Sequence, residues 1–396
     1  MPGCGENDDA PSSSTDGYAS WAASPQDYAE LFPVPGVPAP EPQAFEDQTL
    51  RQLVRLSAGG DEVRVQLSNL FGTAPVTFDA VGIALGQGGG AIDAESHVAL
   101  TFGGSSTVTL DVGAERWSDS VAFPVESGAE LAVSLHVGSS AEVGTVHSLG
   151  QQTAYLVPGN AVSAGTLPAG ETRQSYYWLS RVDVRGPSLP RVLVTFGDSI
   201  TDGFNSTPDE NHRYPNYLSD RLAAAAANVS VVNAGISGNR VLNDVVGPSA
   251  TSRFTRDVVG LTGASDVIIL IGINDIGFGG IAPAQEVSAA QITDGLSQMV
   301  AAGKTGGLRV FLATLTPFQG TMPPYYSEAS EAKRQAVNDW IRANGEVAGV
   351  VDFDQIMSNP NDPLAMRPEL DSGDHLHPND AGYATMADAI DVTWFE

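Results

Sequence analysis

An α/β domain built on a three-layer parallel sheet, preceded by an antiparallel β-sandwich of the jelly-roll kind, is the fold class this sequence predicts. Three observations carry the prediction. The chain has 396 residues, room for two domains at about 150 residues each. Apolar residues alternate with period two between Gln48 and Val184. Beyond Gly186-Pro187-Ser188-Leu189-Pro190, buried strand-like runs recur with helical stretches between them, as βαβ units require.

Taken in order, residues 1–20 read as a flexible tether, because Gly5 to Gly17 is too polar to form a core. The Met-Pro-Gly-Cys start, with the chain's single cysteine at Cys4, is similar to the mature start of a bacterial lipoprotein. A frayed terminus with an incidental thiol is the alternative. Residues 21–186 form the expected β-sandwich. Pro33 to Pro42 holds five prolines and is expected to run extended over the surface. Strand alternation is seen in Val63, Val65 and Leu67, in Val76 and Phe78, in Val108, Leu110 and Val112, and in Leu131, Val133 and Leu135. Turn pieces such as Gly59-Gly60-Asp61 and Gly86-Gln87-Gly88-Gly89-Gly90 separate them.

Residues 187–396 form the α/β domain. Its strands are expected at Arg191 to Phe196, Val229 to Asn233, Asp266 to Ile271, Arg309 to Thr314 and Gly349 to Asp352. Helical periodicity appears in Ile292, Leu296, Met299 and Val300, in Val337, Trp340 and Ile341, and in Tyr383, Met386, Ala387 and Ile390 behind an Asn379 cap.

Composition narrows the function. Acidic residues outnumber basic ones by 47 to 19, a formal charge of −28 shared almost evenly between the two regions, with Lys304 and Lys333 the only lysines. Nucleic acid and anionic lipid are poor partners for such a surface, which suits an extracellular or salty setting. The apolar run Val267 to Ile273 is far short of the roughly 20 residues that span a bilayer. One cysteine excludes an internal disulfide and a cysteine metal site. Asp8-Asp9 and Asp352-Phe353-Asp354 lack EF-hand spacing and read as solvated surface, so no metal is implied. Walker, G-x-G-x-x-G and H-E-x-x-H patterns are absent, so no cofactor is implied.

In open α/β sheets the chemistry sits beyond the carboxyl ends of the strands. The first strand runs into Gly197-Asp198-Ser199-Ile200-Thr201-Asp202-Gly203, the second into Asn233-Ala234-Gly235-Ile236-Ser237-Gly238-Asn239-Arg240, and the third into Gly272-Ile273-Asn274-Asp275. Near the C-terminus stands Asp371-Ser372-Gly373-Asp374-His375-Leu376-His377-Pro378-Asn379. A serine becomes a nucleophile when a base takes its proton, and a histidine base needs a carboxylate to fix its tautomer. Ser199, His377 and Asp374 fill these three roles, with three-residue spacing letting one loop present acid and base. Singly, each has an ordinary reading as helix cap, turn former or surface residue.

These blocks resemble the SGNH, or GDSL, hydrolase family. Its G-D-S-L block matches Gly197-Asp198-Ser199-Ile200, with isoleucine in place of leucine; its second-block glycine matches Gly238; its G-x-N-D block matches Gly272 to Asp275; and its D-x-x-H block matches Asp374 to His377. The resemblance covers residues 191–396. It implies an oxyanion hole made of the backbone N–H groups of Ser199 and Gly238 and the side-chain amide of Asn274. The stretches Tyr18 to Gln26 and Gln48 to Gly72 look like a two-domain subgroup of the same enzymes.

The expected function is a metal-independent serine esterase acting on short acyl esters of carbohydrate or aryl alcohols, exported or lipoprotein-anchored. A lipase or lysophospholipase is the alternative within the family, and a carbohydrate-binding surface protein the alternative outside it. No G-x-S-x-G elbow occurs, which disfavours the α/β-hydrolase fold. His375 is the rival base; His97, His136, His147 and His212 read as structural or solvated, and Asp202 and Arg240 as structural salt-bridge residues, with bracing of the site the alternative for each. The loop Thr316 to Tyr326 is the longest candidate substrate wall, its Tyr325 and Tyr326 offering flat faces to a sugar. Trp117 and Tyr176-Tyr177-Trp178 leave the β region open to two roles, glycan binding or shaping the mouth of the hydrolase domain.

Overall fold

A computed structural model describes residues 17–31, 41–188, 190–244 and 246–396. Cys4, Asp8-Asp9 and most of the Pro33 to Pro42 segment lie outside the described residues. The C-terminal region is a five-stranded parallel sheet of β1 (Arg191–Gly197), β2 (Val229–Gly235), β3 (Ala264–Leu270), β4 (Arg309–Ala313) and β5 (Gly349–Val351), in the order β2-β1-β3-β4-β5. All five expected strands are present, with ends moved by one or two residues. Helices flank them: α1 (Ser199–Asp202), α2 (Tyr214–Ala224), α3 (Ile273–Ile281), α4 (Ala289–Thr305), α5 (Glu328–Arg342) and α6 (Asp380–Asp388). The start of α4 is fixed by a capping box between Ser288 and Gln291, and Ile292, Leu296, Met299 and Val300 face the core. Asn379 caps α6 through Gly382 N–H at 3.0 Å, and Tyr383, Met386, Ala387 and Ile390 are buried. On α5, Val337 and Ile341 are buried while Trp340 is half-buried at the rim.

The N-terminal region is antiparallel. One sheet includes Tyr18–Ala22, Leu179–Arg185 and Gly60–Ser68, and a second joins Ala154–Pro158, Gln48–Arg55, Glu130–Val137 and Ala80–Leu85. Val63, Val65 and Leu67 point into the core as the alternation predicts. Two expectations fail. Val112 is 56% exposed and lies past the strand Val108–Leu110, where the chain turns through Gly113. Strand Glu130–Val137 is buried on both faces, because Arg51 lies over its Ser134 and bonds the carbonyls of Gly90, Ala161 and Val162 in the covering loops.

The two regions share one buried apolar cluster running from Tyr18 to Phe395. Tyr18, Ala19 and Ser20, read from sequence as the end of a tether, are strand residues instead. Their strand pairs with Leu179–Arg185, and the Ala19 N–H donates to Thr262 O at 2.9 Å while Ser230 Oγ donates to Ala19 O at 2.6 Å. Those bonds cross from one region to the other, and so sidedness could not be read from local polarity.

Candidate active site

With β1 between β2 and β3, the order reverses at the β1/β3 boundary, which is where open sheets leave a crevice. Ser199 follows β1 and Asn274 follows β3, so topology alone places them side by side. Asp198 caps α1 through Ile200 N–H at 3.1 Å, and Gly203, at φ 98°, ends the helix after a single turn. Ser199 is thereby held at the helix start, 5% exposed, its Oγ 2.8 Å from His377 Nε2. His377 Nδ1 lies 2.6 Å from Asp374 Oδ2, and Asp374 Oδ1 accepts the N–H groups of Leu376 and His377 at 2.9 and 2.8 Å. Asn205 Nδ2 donates a further bond to Asp374 Oδ2 at 2.9 Å. Burial works to raise the Asp374 carboxyl, but the His377 partner outweighs it and holds it well below the usual carboxylate range. His377 therefore has an ionised acceptor on one nitrogen and a hydroxyl on the other, the arrangement a general base needs.

His375 is drawn away. Its backbone is left-handed at φ 64°, its Nδ1 lies 2.7 Å from Asp371 Oδ2, and its side chain is 53% exposed. Of the two histidines only His377 meets Ser199.

Gly238 has φ 82°, and a Cβ there would lie 3.0 Å from Val246 Cγ2, so both backbone and space call for glycine. Asn274 Nδ2 donates to Asn239 O at 3.0 Å, which sets it beside the Gly238 turn. Its Oδ1 accepts the Tyr325 hydroxyl at 2.9 Å. One amide hydrogen is thus used on Asn239 and the second is free for a ligand. Tyr325 was expected to offer its face to a sugar; its hydroxyl is instead turned onto Asn274.

Asp275 holds the chain just past Gly238, accepting Val241 N–H at 2.7 Å and Leu242 N–H at 3.3 Å. Burial pushes its carboxyl up to about 6. Arg240 bonds Gln285 and stands 4.0 Å from Asp275. Arg253, buried over the Phe196 ring at 4.1 Å, donates to Gly197 O and Ala234 O at 2.8 Å each and to Asn239 Oδ1 at 3.0 Å. One guanidinium thus clamps the ends of β1 and β2. Neither Arg253 nor Tyr325 carries a spacing signal tying it to the blocks; only the Arg253 to Asp257 separation of four hints at a fixed cation.

Asp202 pairs with His147 of the β region, Oδ1 to Nε2 at 3.0 Å. His212 pairs with Asp380 at 2.8 Å and stacks on Tyr217, and His136 lies 3.4 Å from Asp47. His97 Nε2 is buried beside Gly82. Asp352 and Asp354, expected as solvated surface, are ion-paired: Arg342 reaches both, and Arg334 binds Asp354. Among the described residues, no group of three or more His, Cys, Asp or Glu could hold a metal, and no helix is long and apolar enough to cross a membrane.

Residues 195–385 match the model of the GDSL-like Lipase/Acylhydrolase family. No curated protein matches the chain. Many solved structures match the chain, and three of them each align with 50% of it. An acetylxylan esterase, Axe2, from Geobacillus stearothermophilus is 24% identical, with 91% of its own chain covered and a TM-score of 0.39. The lipase/acylhydrolase from Enterococcus faecalis is 21% identical, with 92% covered and a TM-score of 0.41. A carbohydrate acetylesterase, Est24, from Sinorhizobium meliloti is 15% identical, with 95% covered and a TM-score of 0.39.

Proposed function

With residues 195–385 forming a domain of the GDSL-like lipase/acylhydrolase family, we propose that the protein is a serine esterase releasing short acyl groups from carbohydrate or aryl alcohols. The observation that carries this reading is the continuous chain from Ser199 Oγ to His377 Nε2 at 2.8 Å and from His377 Nδ1 to Asp374 Oδ2 at 2.6 Å, at the mouth of the sheet. His377 takes the Ser199 proton as Oγ adds to the ester carbonyl. The oxyanion that forms is met by the N–H groups of Ser199 and Gly238 and the free Asn274 amide hydrogen. Collapse expels the alcohol, which takes the proton back from His377, and leaves an acyl-serine. Water, deprotonated by the same imidazole, then adds to the acyl carbon and frees the carboxylic acid. No step asks for a metal. The two antiparallel sheets act as a sandwich that buttresses this domain, and the acidic surface fits an exported location.

The test is hydrolysis of p-nitrophenyl acetate by the intact chain and by Ser199→Ala. We expect turnover in the first and a loss of at least about 10³-fold in the second with folding retained; more than a few per cent residual activity would reject Ser199. A lipase-type reading has one observation in its favour. An apolar recess of about 230 Å³, lined by Ile281, Met322, Pro323, Pro324, Tyr325 and Leu376, opens beside Asp374.

A further inference from the structure

His147 belongs to the β region, on the short strand Thr145–His147 between Gln26–Asp27 and Tyr176–Tyr177. It is buried, yet both ring nitrogens are used. Nδ1 stands 2.9 Å from Ser24 O, a carbonyl that can only accept, and Nε2 stands 3.0 Å from Asp202 Oδ1. Asp202 closes α1, three residues after Ser199. Its other oxygen, Oδ2, accepts from Ser237 twice, from N–H at 2.8 Å and from Oγ at 2.7 Å. Ser237 immediately precedes Gly238.

From this chain of contacts we infer that His147 is a positioning residue for the oxyanion hole, a part of the active site that the β region contributes through Asp202 and Ser237. The inference rests on the esterase reading. A carbonyl at Nδ1 and a carboxylate at Nε2 make both nitrogens donors, so His147 is an imidazolium and Asp202 its counter-ion. The pair is 6% and 5% exposed, and a buried charge without its partner is costly. Removing the imidazolium therefore strips Asp202 Oδ1 of its donor. The carboxylate must then turn toward another donor, and that change loosens its hold on Ser237 and on the Gly238 amide beyond it. Burial works to lower the His147 pKa, but the Asp202 charge and the bond to Ser24 O outweigh it and raise it. The other groups facing the ring are Arg213, whose positive charge opposes that rise, and Tyr176, whose ring lies 6.3 Å away and whose hydroxyl donates to Leu53 O. Asp202 is thus the only anion the ring meets among these neighbours.

The test uses the full chain with His147→Leu and, as the milder change that keeps one N–H donor, His147→Gln. Active Ser199 is counted with a phosphonate label, so kcat refers to folded sites. We expect His147→Leu to lower kcat about 10- to 100-fold with KM within about twofold, His147→Gln to fall between it and the parent, and amide exchange at Ser237 and Gly238 to quicken at least about tenfold in His147→Leu. Full kcat per labelled site, with only melting temperature reduced, would assign His147 to stability alone and overturn the proposal. If the parent chain hydrolyses no ester, the esterase reading has failed, and the exchange measurement still decides: unchanged exchange at Ser237 refutes the coupling. Should neither variant fold, nitrogen NMR of the parent decides, since a ring carrying one N–H at neutral pH is incompatible with the imidazolium pair.

Discussion

Asn274 is the residue at which a single bond decides a chemical role. An amide side chain can flip, presenting oxygen or nitrogen to the same point, and only the nitrogen stabilises an oxyanion. The Asn239 carbonyl, which can only accept, excludes the flipped state, and the Tyr325 hydroxyl on Oδ1 anchors the other end of the amide. Asn274→Ala should lower kcat by about 10²- to 10³-fold with little change in KM, as loss of one oxyanion donor does. Tyr325→Phe should cost less, about tenfold at most, since the amide loses the bond that anchors its oxygen while the Asn239 carbonyl still holds its nitrogen; in an Asn274→Ala background it should cost nothing. Additive losses in that cycle would mean that Tyr325 acts elsewhere. A second prediction concerns Asp198, buried behind the nucleophile, where burial pushes its carboxyl up to about 7. The folded chain holds that proton at pH values where the unfolded chain, near 3.9, has released it. Its contribution to stability is therefore fully present below about pH 4 and falls as pH rises toward 7. The melting temperature of the parent minus that of Asp198→Asn should decline across this interval, and a difference independent of pH would show that the carboxyl ionises freely. As candidates, Ser199, Gly238 and Asn274 were legible because each sits in a short block at a strand end, and Asp374 and His377 because their block stands just before the last helix. His147 and Arg253 were not, because each reaches the site from a distant segment through a contact that leaves no spacing in the sequence; Tyr325 was legible as a wall residue, but its bond to Asn274 was not.

At the scale of elements, the loop Thr316 to Tyr326 and helix α3 fit through glycines. A Cβ at Gly277 would lie 2.2 Å from the Tyr325 ring, and one at Gly280 would lie 2.0 Å from Pro324 O, so the run Gly277 to Gly280 in α3 is a notch for the loop. Glycine within a helix costs up to about 1 kcal/mol relative to alanine, and the docking that sets Tyr325 on Asn274 accounts for accepting it. The notch was not readable from sequence, where the same glycines merely weaken a helix. The five strands of the parallel sheet were readable, because burial on both faces leaves runs with few alternatives. Residues Glu130 to Val137 misled for the opposite reason: Ala132, Ser134 and His136, alternating with Leu131, Val133 and Leu135, suggested a wet face that Arg51 and two loops cover. The loop also borders the apolar recess, where Met322 is 81% exposed and Asp374 stands at the edge with its side chain 38% exposed. A long alkyl chain laid there would desolvate part of that carboxylate, which opposes the gain of about 0.8 kcal/mol per buried methylene. We therefore expect kcat/KM to fall along p-nitrophenyl esters from acetyl or butyryl to decanoyl. A maximum at ten carbons or beyond would favour the lipase reading.

The whole molecule carries 47 acidic against 19 basic side chains, and it spends the scarce cations in a few clusters. Arg191 and Arg309 both bind Asp266, Arg253 and Arg256 both bind Asp257, and Arg334 lies between Glu331 and Asp354. Two arginines on one aspartate leave still fewer for the surface, where carboxylates such as Asp111, Glu126 and Glu142 stand exposed. Two effects of salt then compete. Added ions weaken exposed pairs such as Arg55 with Asp220, but such a pair is worth at most about 1 kcal/mol. They also screen the mutual repulsion of a formal charge of −28, which acts over the whole surface and which a Debye length of about 10 Å at 0.1 M confines to near neighbours. The buried clusters are screened least, so what holds the sheet ends together persists while what pushes the surface apart declines. Melting temperature should accordingly rise as sodium chloride is raised from about 0.01 M toward 1 M, most steeply in the first tenth of that range where the Debye length shrinks fastest. Potassium chloride should act alike, since the effect is screening and not a bound ion. A flat or falling curve would place the balance with local pairing, and a response to one cation alone would point to a specific site on the acidic surface.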